Sequence, residues 1–360
     1  MTGRLGMDIV LDVGPMSVNM QSAFAGPGTT VNLVLQIVDE YRKERDTFVA
    51  RYEAVTVSKS RSLFDRCKGA IAWRLDPVRP RSIVWWVRGI CFSNAPVIAK
   101  LGRGSGLKIR VYPHDVIGKN IYKYGVFEAD EVNLIMTLLE PGMIFLDAGA
   151  NIGQYTVLGA SRVGDTGRVH AFEPSPRVFK QLQYNVELNV LSSVCVLNNM
   201  ALSNESGTAR LSQCAPGAEV YGSLGNAHWV REPIIGYTEV VTATIDSYCT
   251  SMQVPRVDLI KMDIEGAELL ALRGSERILR GPASPAIVLE MADANTAGFG
   301  YEAIETWDYL GALGYKFYSF ERRDGTLVPA VRPSDFLQKP QNLLAVRPPV
   351  RPSWKHLLRD

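Results

Sequence analysis

Two acids stand at the spacing that ligand chemistry would need. Asp147 closes the apolar run Met143-Ile-Phe-Leu-Asp147, and Glu173 closes Arg168-Val-His-Ala-Phe-Glu173, 173 − 147 = 26 residues later. That is close to the interval at which one strand–helix–strand unit presents an acid to ribose hydroxyls. A carboxylate accepts two hydrogen bonds from a vicinal diol, so Glu173 suits a ribose. A third group of charges follows in Lys261-Met-Asp263-Ile-Glu265-Gly-Ala-Glu268. Alternate residues of a strand share a face, so Lys261 and Asp263 point the same way, while Glu265 and Glu268 can face one side of a helix start. Such charges at the end of a central strand are expensive to bury without a task.

The elements that must hold these residues can be read around them. Asp147 leads into a tight Gly149-Ala-Asn151-Ile-Gly153 turn, and Tyr155 to Val163 has the small, apolar character of a helix packed on a sheet. Glu173 leads through Pro174-Ser175-Pro176 into a helix over Arg177 to Leu188. A dinucleotide fingerprint needs three glycines around an anionic pyrophosphate. Only Gly149 and Gly153 are present, and Asp147 would repel a pyrophosphate. The same acid suits the cationic methionyl end of S-adenosylmethionine, which carries no phosphate. Val194 to Asn199 reads as a third strand, placing Asn199-Met-Ala201 where an adenine edge would be met by Asn199 or by a backbone group. Val257 to Asp263 and Ala286 to Glu290 read as further strands, with Lys316–Phe320 against Asn342–Val346 as an antiparallel pair closing the sheet. The predicted fold is α/β and Rossmann-like, a mostly parallel sheet with helices on both faces.

From Gly125-Val-Phe-Glu128 through Asp147-Ala-Gly-Ala-Asn-Ile-Gly153, Phe172-Glu-Pro174, Asn199-Met-Ala-Leu-Ser203 and Ile260-Lys-Met-Asp-Ile-Glu-Gly-Ala-Glu268, the chain resembles the FkbM-type methyltransferases. The resemblance covers roughly residues 115 to 291, and its most specific part is Lys-x-Asp-x-Glu-Gly-x-Glu. It implies a class I, S-adenosylmethionine-dependent O-methyltransferase acting on sugar or polyketide hydroxyls. It also implies that Glu128 lies near the cofactor at the mouth of the site; by itself Glu128 reads as an acid flanking the helix Asp130–Leu139.

The chain of 360 residues is 46% hydrophobic and nearly neutral at +2, ample for a sizeable core. Its charge is uneven. Lys59 to Arg110 holds 12 basic residues against 2 acids, together with Trp73, Trp85 and Trp86. That pairing suits helical packing with solvated arginines, an anionic substrate, or peripheral contact with an anionic membrane through 59–110. No RNA-binding motif accompanies it, so nucleic acid is not an expected partner. Five scattered cysteines have no metal-ligand spacing and no disulfide framework, which fits a reducing cytoplasm. No signal peptide or membrane-spanning run is evident. The expected organisation is an extension over 1–105, partly helical from Thr29 and basic later, a catalytic domain over 106–347, and a loosely ordered tail over 348–360. Gly102-Arg-Gly-Ser-Gly106 is read as the linker or a hairpin turn.

Methyl transfer to an alcohol needs alignment and a base. The base is expected to be Asp263 or a neighbour in the Lys261, Asp263, Glu265 group, with Lys261 orienting the nucleophile. Ser212 to Glu239, dense in glycine, reads as a substrate lid, and its His228 is the alternative base. Magnesium on Asp263 and Glu290 is chemically possible, although nothing demands it. The acceptor is expected to be a sugar hydroxyl of a glycolipid, polysaccharide or other glycosylated metabolite. Two rivals share parts of this pattern, namely an NAD-linked oxidoreductase and a non-catalytic module recruited to membranes.

Overall fold

A computed structural model describes residues 10–12, 17–19, 96–102, 104–112, 115–214, 222–225, 234–323, 326–334 and 341–358. The chain divides into two compact units, Met1–Ala95 and Pro96–Asp360. In the first, β1 (Val10–Asp12) pairs antiparallel with β2 (Ser17–Asn19). The helix expected from Thr29 and the tryptophan-bearing stretch up to residue 95 lie outside the described residues.

The second unit opens with a hairpin of β3 (Val97–Lys100) and β4 (Lys108–Val111). Each strand alternates, burying Val97 and Ala99, and Ile109 and Val111. The stretch from Gly102 to Gly106 is therefore the turn of this hairpin and not a boundary. The division falls at 95/96 because β3 needs β4 as its partner. Helix α1 (Val116–Tyr124) is capped by Asp115, whose Oδ1 accepts from Ile117 N at 2.9 Å. Helix α2 (Ala129–Leu138) follows Glu128, which sits in left-handed backbone with φ 53°.

The alternating part comes next: β5 (Ile144–Ala148), α3 (Gln154–Val163), β6 (Arg168–Phe172), α4 (Pro176–Leu188) and β7 (Cys195–Asn198). A small second sheet, β8 (Ala201–Leu202), β9 (Gly207–Cys214) and β10 (Ile234–Ala243), is followed by α5 (Ile245–Ser251) and β11 (Leu259–Met262). Then come α6 (Glu268–Arg273), α7 (Glu276–Arg280), β12 (Ala286–Met291), α8 (Asp293–Thr296) and α9 (Ala303–Ala312). The strands β13 (Lys316–Arg323), β14 (Thr326–Pro329) and β15 (Gln341–Val346) finish the sheet.

The main sheet runs β14-β13-β15-β12-β11-β5-β6-β7, parallel from β12 to β7 and antiparallel beyond β12. This is the expected Rossmann-like, mostly parallel sheet, with the closing pair β13 and β15 as read from the sequence. The chain walks outward from β5 to β7 and then returns to β11 on the other side of β5. At that reversal the loops leave the carboxyl ends in opposite directions and open a crevice. Apolar cores lie on both faces. Phe145, Val157 and Leu182 belong to one, and Leu146, Ile260 and Trp307 to the other.

Residues 348–358 are ordered, contrary to expectation. Pro352–Leu357 form a short 3-10 helix, and buried Trp354 donates from Nε1 to Leu138 O at 2.9 Å. Arg351 reaches Asp258, whose Oδ2 accepts from Ile144 N at 2.8 Å. An indole over the end of α2 and a guanidinium on a buried acid outweigh the proline content that made the tail look loose. Among the described residues, no helix is long and apolar enough to cross a membrane.

Candidate active site

The crevice at the reversal point holds a cavity of about 360 Å³. Its floor is the turn after β5. Gly149 has φ +75°, and a Cβ there would overlap the carbonyl oxygen of Asp263, so only glycine lets the β5 and β11 ends lie this close. The amides of Gly149 and Ala150 both donate to Phe172 O, at 3.1 and 2.9 Å. Glu173 secures the same turn from the next strand. Its Oε2 accepts from Asn151 N at 3.0 Å and its Oε1 from Ser175 N at 2.8 Å. Burial pushes its carboxyl up to about 7 despite those two donors. Asn151, with φ 51°, takes the left-handed backbone that asparagine tolerates and accepts from Ile152 N through its own Oδ1.

Six acids line the cavity, Glu128, Glu131, Glu173, Asp263, Glu265 and Glu290. Among the described residues that line it, Lys261 is the sole base. Lys261 is 2% exposed, donates to Gly149 O at 3.2 Å and to Asp263 Oδ2 at 3.3 Å, and lies over the Tyr155 ring. Burial alone would lower its pKa, but Asp263, Asp147, Glu131 and Glu128 around it raise it above the ordinary lysine range. Lys261 therefore stays charged. Burial, with Asp263 adding repulsion, pushes Glu290 up to about 8 and holds Glu265 well above the usual carboxylate range. Burial also raises Glu128, which accepts from Tyr155 OH at 3.2 Å.

The sequence-predicted residues divide into those that face this space and those that build it. Glu128, Gly149, Asn151, Glu173, Pro174, Ser175, Ala201, Lys261, Asp263 and Glu265 all line it. Asp147 does not. It is fully buried beneath the floor, pairs across the strands with Lys261, and accepts from Thr156 Oγ1 at 2.6 Å. Its side chain is spent on Thr156 of α3 and does not reach the cavity wall. Gly153 is likewise structural; its Cβ would come within 2.7 Å of Leu182 as α3 begins. Asn199 uses Nδ2 on Glu173 O and Pro174 O, at 2.8 and 2.9 Å, which makes it a turn asparagine instead of an adenine reader.

Glu268 does not share a face with Glu265. Its Oε1 accepts from Ile264 N and Gly266 N, at 3.0 and 3.3 Å, and closes the loop on itself. Glu265, with φ 54°, turns the other way, and Asn295 Nδ2 donates to both Glu265 and Glu290. That donor stands between Glu265 and Glu290. Among the described residues, no group of three or more His, Cys, Asp or Glu side chains is placed to hold a metal ion.

The arms of the expected lid are strands and not loop. β9 and β10 pair antiparallel because Tyr237 to Thr242 alternates in β-favouring residues, a pattern masked in the sequence by nearby glycines. Leu211, Gly222 and Leu224 of this ribbon line the cavity, and Ser223 Oγ donates to Glu265 O at 2.8 Å. His228 lies outside the described residues. Sequence reasoning missed Glu131, Tyr155 and Asn295. Glu131 had a signal, since it stands in register with Leu134, Ile135 and Leu138 on the apolar stripe of α2.

Comparison with known proteins places residues 147–317 on the family described as the methyltransferase FkbM domain. A hexuronic acid methyltransferase, AglP, of Haloferax volcanii is 28% identical over 153 residues, 42% of this chain and 58% of that protein. A protein named methyltransferase 1 of Beauveria bassiana is 31% identical over 143 residues, 36% of this chain and 57% of that one. The chain thus spans less than two thirds of the length of these curated relatives. Among solved structures, an O-methyltransferase from Bacillus cereus in complex with SAH overlaps at a TM-score of 0.36 and 10% identity, covering 63% of this chain and 84% of that one. An O-methyltransferase from Thermotoga maritima overlaps at 0.34 and 13% identity, covering 63% of this chain and 67% of that one.

Proposed function

We propose, from the match of residues 147–317 to the methyltransferase FkbM domain, that the cavity takes S-adenosylmethionine and serves methyl transfer to a hydroxyl oxygen. The proposed acceptor is a sugar in a glycolipid, polysaccharide or other glycosylated metabolite. The observation that carries the reading is the charge of the cavity wall, six carboxyl groups around one lysine. A pyrophosphate would find one lysine on that wall to neutralise it, which counts against a nicotinamide dinucleotide; a sulfonium bearing an ammonium would find carboxyl groups that can ionise against it. The sugar acceptor draws support from the similarity to the hexuronic acid methyltransferase.

The residues present fit this cofactor. The bare Gly149 leaves the floor open to a close approach. Glu173 has two donors on its two oxygens, and a carboxylate has about four acceptor positions, so lone pairs remain for a ribose diol. When bound, the cofactor supplies a methyl group already activated on a positively charged sulfur. The protein supplies alignment, worth about 7–11 kcal/mol in well-oriented reactions, and a proton acceptor. Asp263 is the base in this reading, because its side chain is 36% exposed at the cavity and is held by Lys261 at 3.3 Å. Lys261 stays protonated, so it positions Asp263 and the hydroxyl and takes no proton itself. Glu265 beside them and His228 in the lid stretch are the alternative acceptors. Residues 59–110, basic and tryptophan-bearing, complete the proposal as a contact with anionic lipid.

Titration calorimetry with S-adenosylhomocysteine and transfer of labelled methyl groups to glycolipid extracts test the reading together. Asp263→Asn is expected to lower transfer by about 10²–10⁴-fold while S-adenosylhomocysteine still binds. Wild-type protein giving no heat with S-adenosylhomocysteine would sink the cofactor, and Asp263→Asn turning over at the wild-type rate would sink the assigned base.

A further inference from the structure

We propose that Glu131 is the carboxylate that receives the primary ammonium of the bound ligand, the amino-acid end of the S-adenosylmethionine inferred above. The proposal rests on that cofactor reading and assigns within it the subsite that the sequence had pointed to Asp147.

Glu131 occupies a position built for an aliphatic side chain. It precedes Leu134, Ile135 and Leu138 at the spacing of one helix face, and all three are buried. Glu131 is itself only 6% exposed, yet it lines the cavity. Among the described residues its carboxylate has no hydrogen-bond donor and no ion pair. Every other acid lining the cavity has one, whether a backbone amide, Tyr155, Asn295 or Lys261. Lys261 is close enough to be felt, but its ammonium bonds to Gly149 O and Asp263 and not to Glu131. A carboxylate with so little exposure and no donor is an unfavourable arrangement. Something that enters the cavity must supply the missing donor.

The ligand's two cations differ in what they can give. A sulfonium carries charge but no N–H, so it cannot fill an empty acceptor. A primary ammonium carries charge and three donors. Glu128, one turn earlier on the same side of the cavity, adds negative charge to the same wall. The ammonium therefore goes to Glu131, with Glu128 contributing field.

The test compares S-adenosylhomocysteine with its analogue in which hydrogen replaces the amino group, by calorimetry on the full chain. In wild type, losing the amino group is expected to weaken binding about 10- to 100-fold, the range of a hydrogen bond to a charged group. Glu131→Gln is expected to weaken S-adenosylhomocysteine by a similar factor and to leave the analogue unchanged. Glu131→Met, which restores an apolar side chain of similar volume, should lose the same discrimination while raising the melting temperature. Equal losses of both ligands in Glu131→Gln, or no loss of either, would overturn the assignment. Failure of wild type to bind either ligand would instead remove the cofactor reading beneath it.

Discussion

A carboxyl group stripped of water either finds a donor or keeps its proton, and this site contains acids of both kinds. Burial pushes Glu131 and Glu290 up to about 8, and Glu173 and Glu268 up to about 7. Folded values above unfolded ones mean that the folded chain binds more protons between about pH 4.5 and 8. Stability is therefore greatest at the acid end of that window and declines as pH rises through it. Urea denaturation of the free protein is expected to give a lower midpoint at pH 8.5 than at pH 6, and Glu131→Gln should narrow the gap. A midpoint that rises with pH would refute the account. Gly149 tests the geometry in another way. Gly149→Ala must push aside the Asp263 carbonyl and strain a positive φ, with an expected loss of about 2–4 kcal/mol and no measurable S-adenosylhomocysteine binding.

Elements hold the site through a few polar ties between secondary structures. Asn185 of α4 is fully buried, accepts from Arg110 N at 2.7 Å and donates to Ile152 O at 2.8 Å. One amide thus joins the hairpin β3–β4, the helix after β6 and the cofactor turn. Asn185→Ala leaves buried backbone groups without partners and is expected to destabilise the fold by about 1–3 kcal/mol, readable as a lowered melting temperature. Elements of this kind were legible in the sequence where local chemistry decides them. An apolar run, an acid and a glycine turn specify β5 and its loop; β11 and β12 follow from similar runs. Side chains that act across the fold were not. Asn199 and Asp147 have the right types near strand ends, but Asn199 bonds to the Glu173 and Pro174 carbonyls and Asp147 is buried against Thr156. Tyr155 and Asn295 look ordinary until α3 and α8 bring them to the crevice.

At the scale of the molecule, charge is segregated. An acid-walled cavity belongs to a chain whose stretch 59–110 carries 12 basic residues against 2 acids. Sedimentation with vesicles is expected to show binding to anionic lipid, little to neutral lipid, and release as salt shortens the Debye length to about 3 Å near 1 M. Equal binding to both vesicle types would remove the lipid contact from the proposal. The division at 95/96 escaped a reading of composition because a glycine-rich hairpin turn has the same letters as a linker. Trp354 has a practical corollary. Its indole rests on the final carbonyl of α2, the helix that carries Glu131. Anyone shortening the protein after its last strand would pull a peg from beneath the ligand's seat, although no residue removed lies in the cavity. Fusion partners attached at this end therefore belong beyond Leu357, on a flexible spacer.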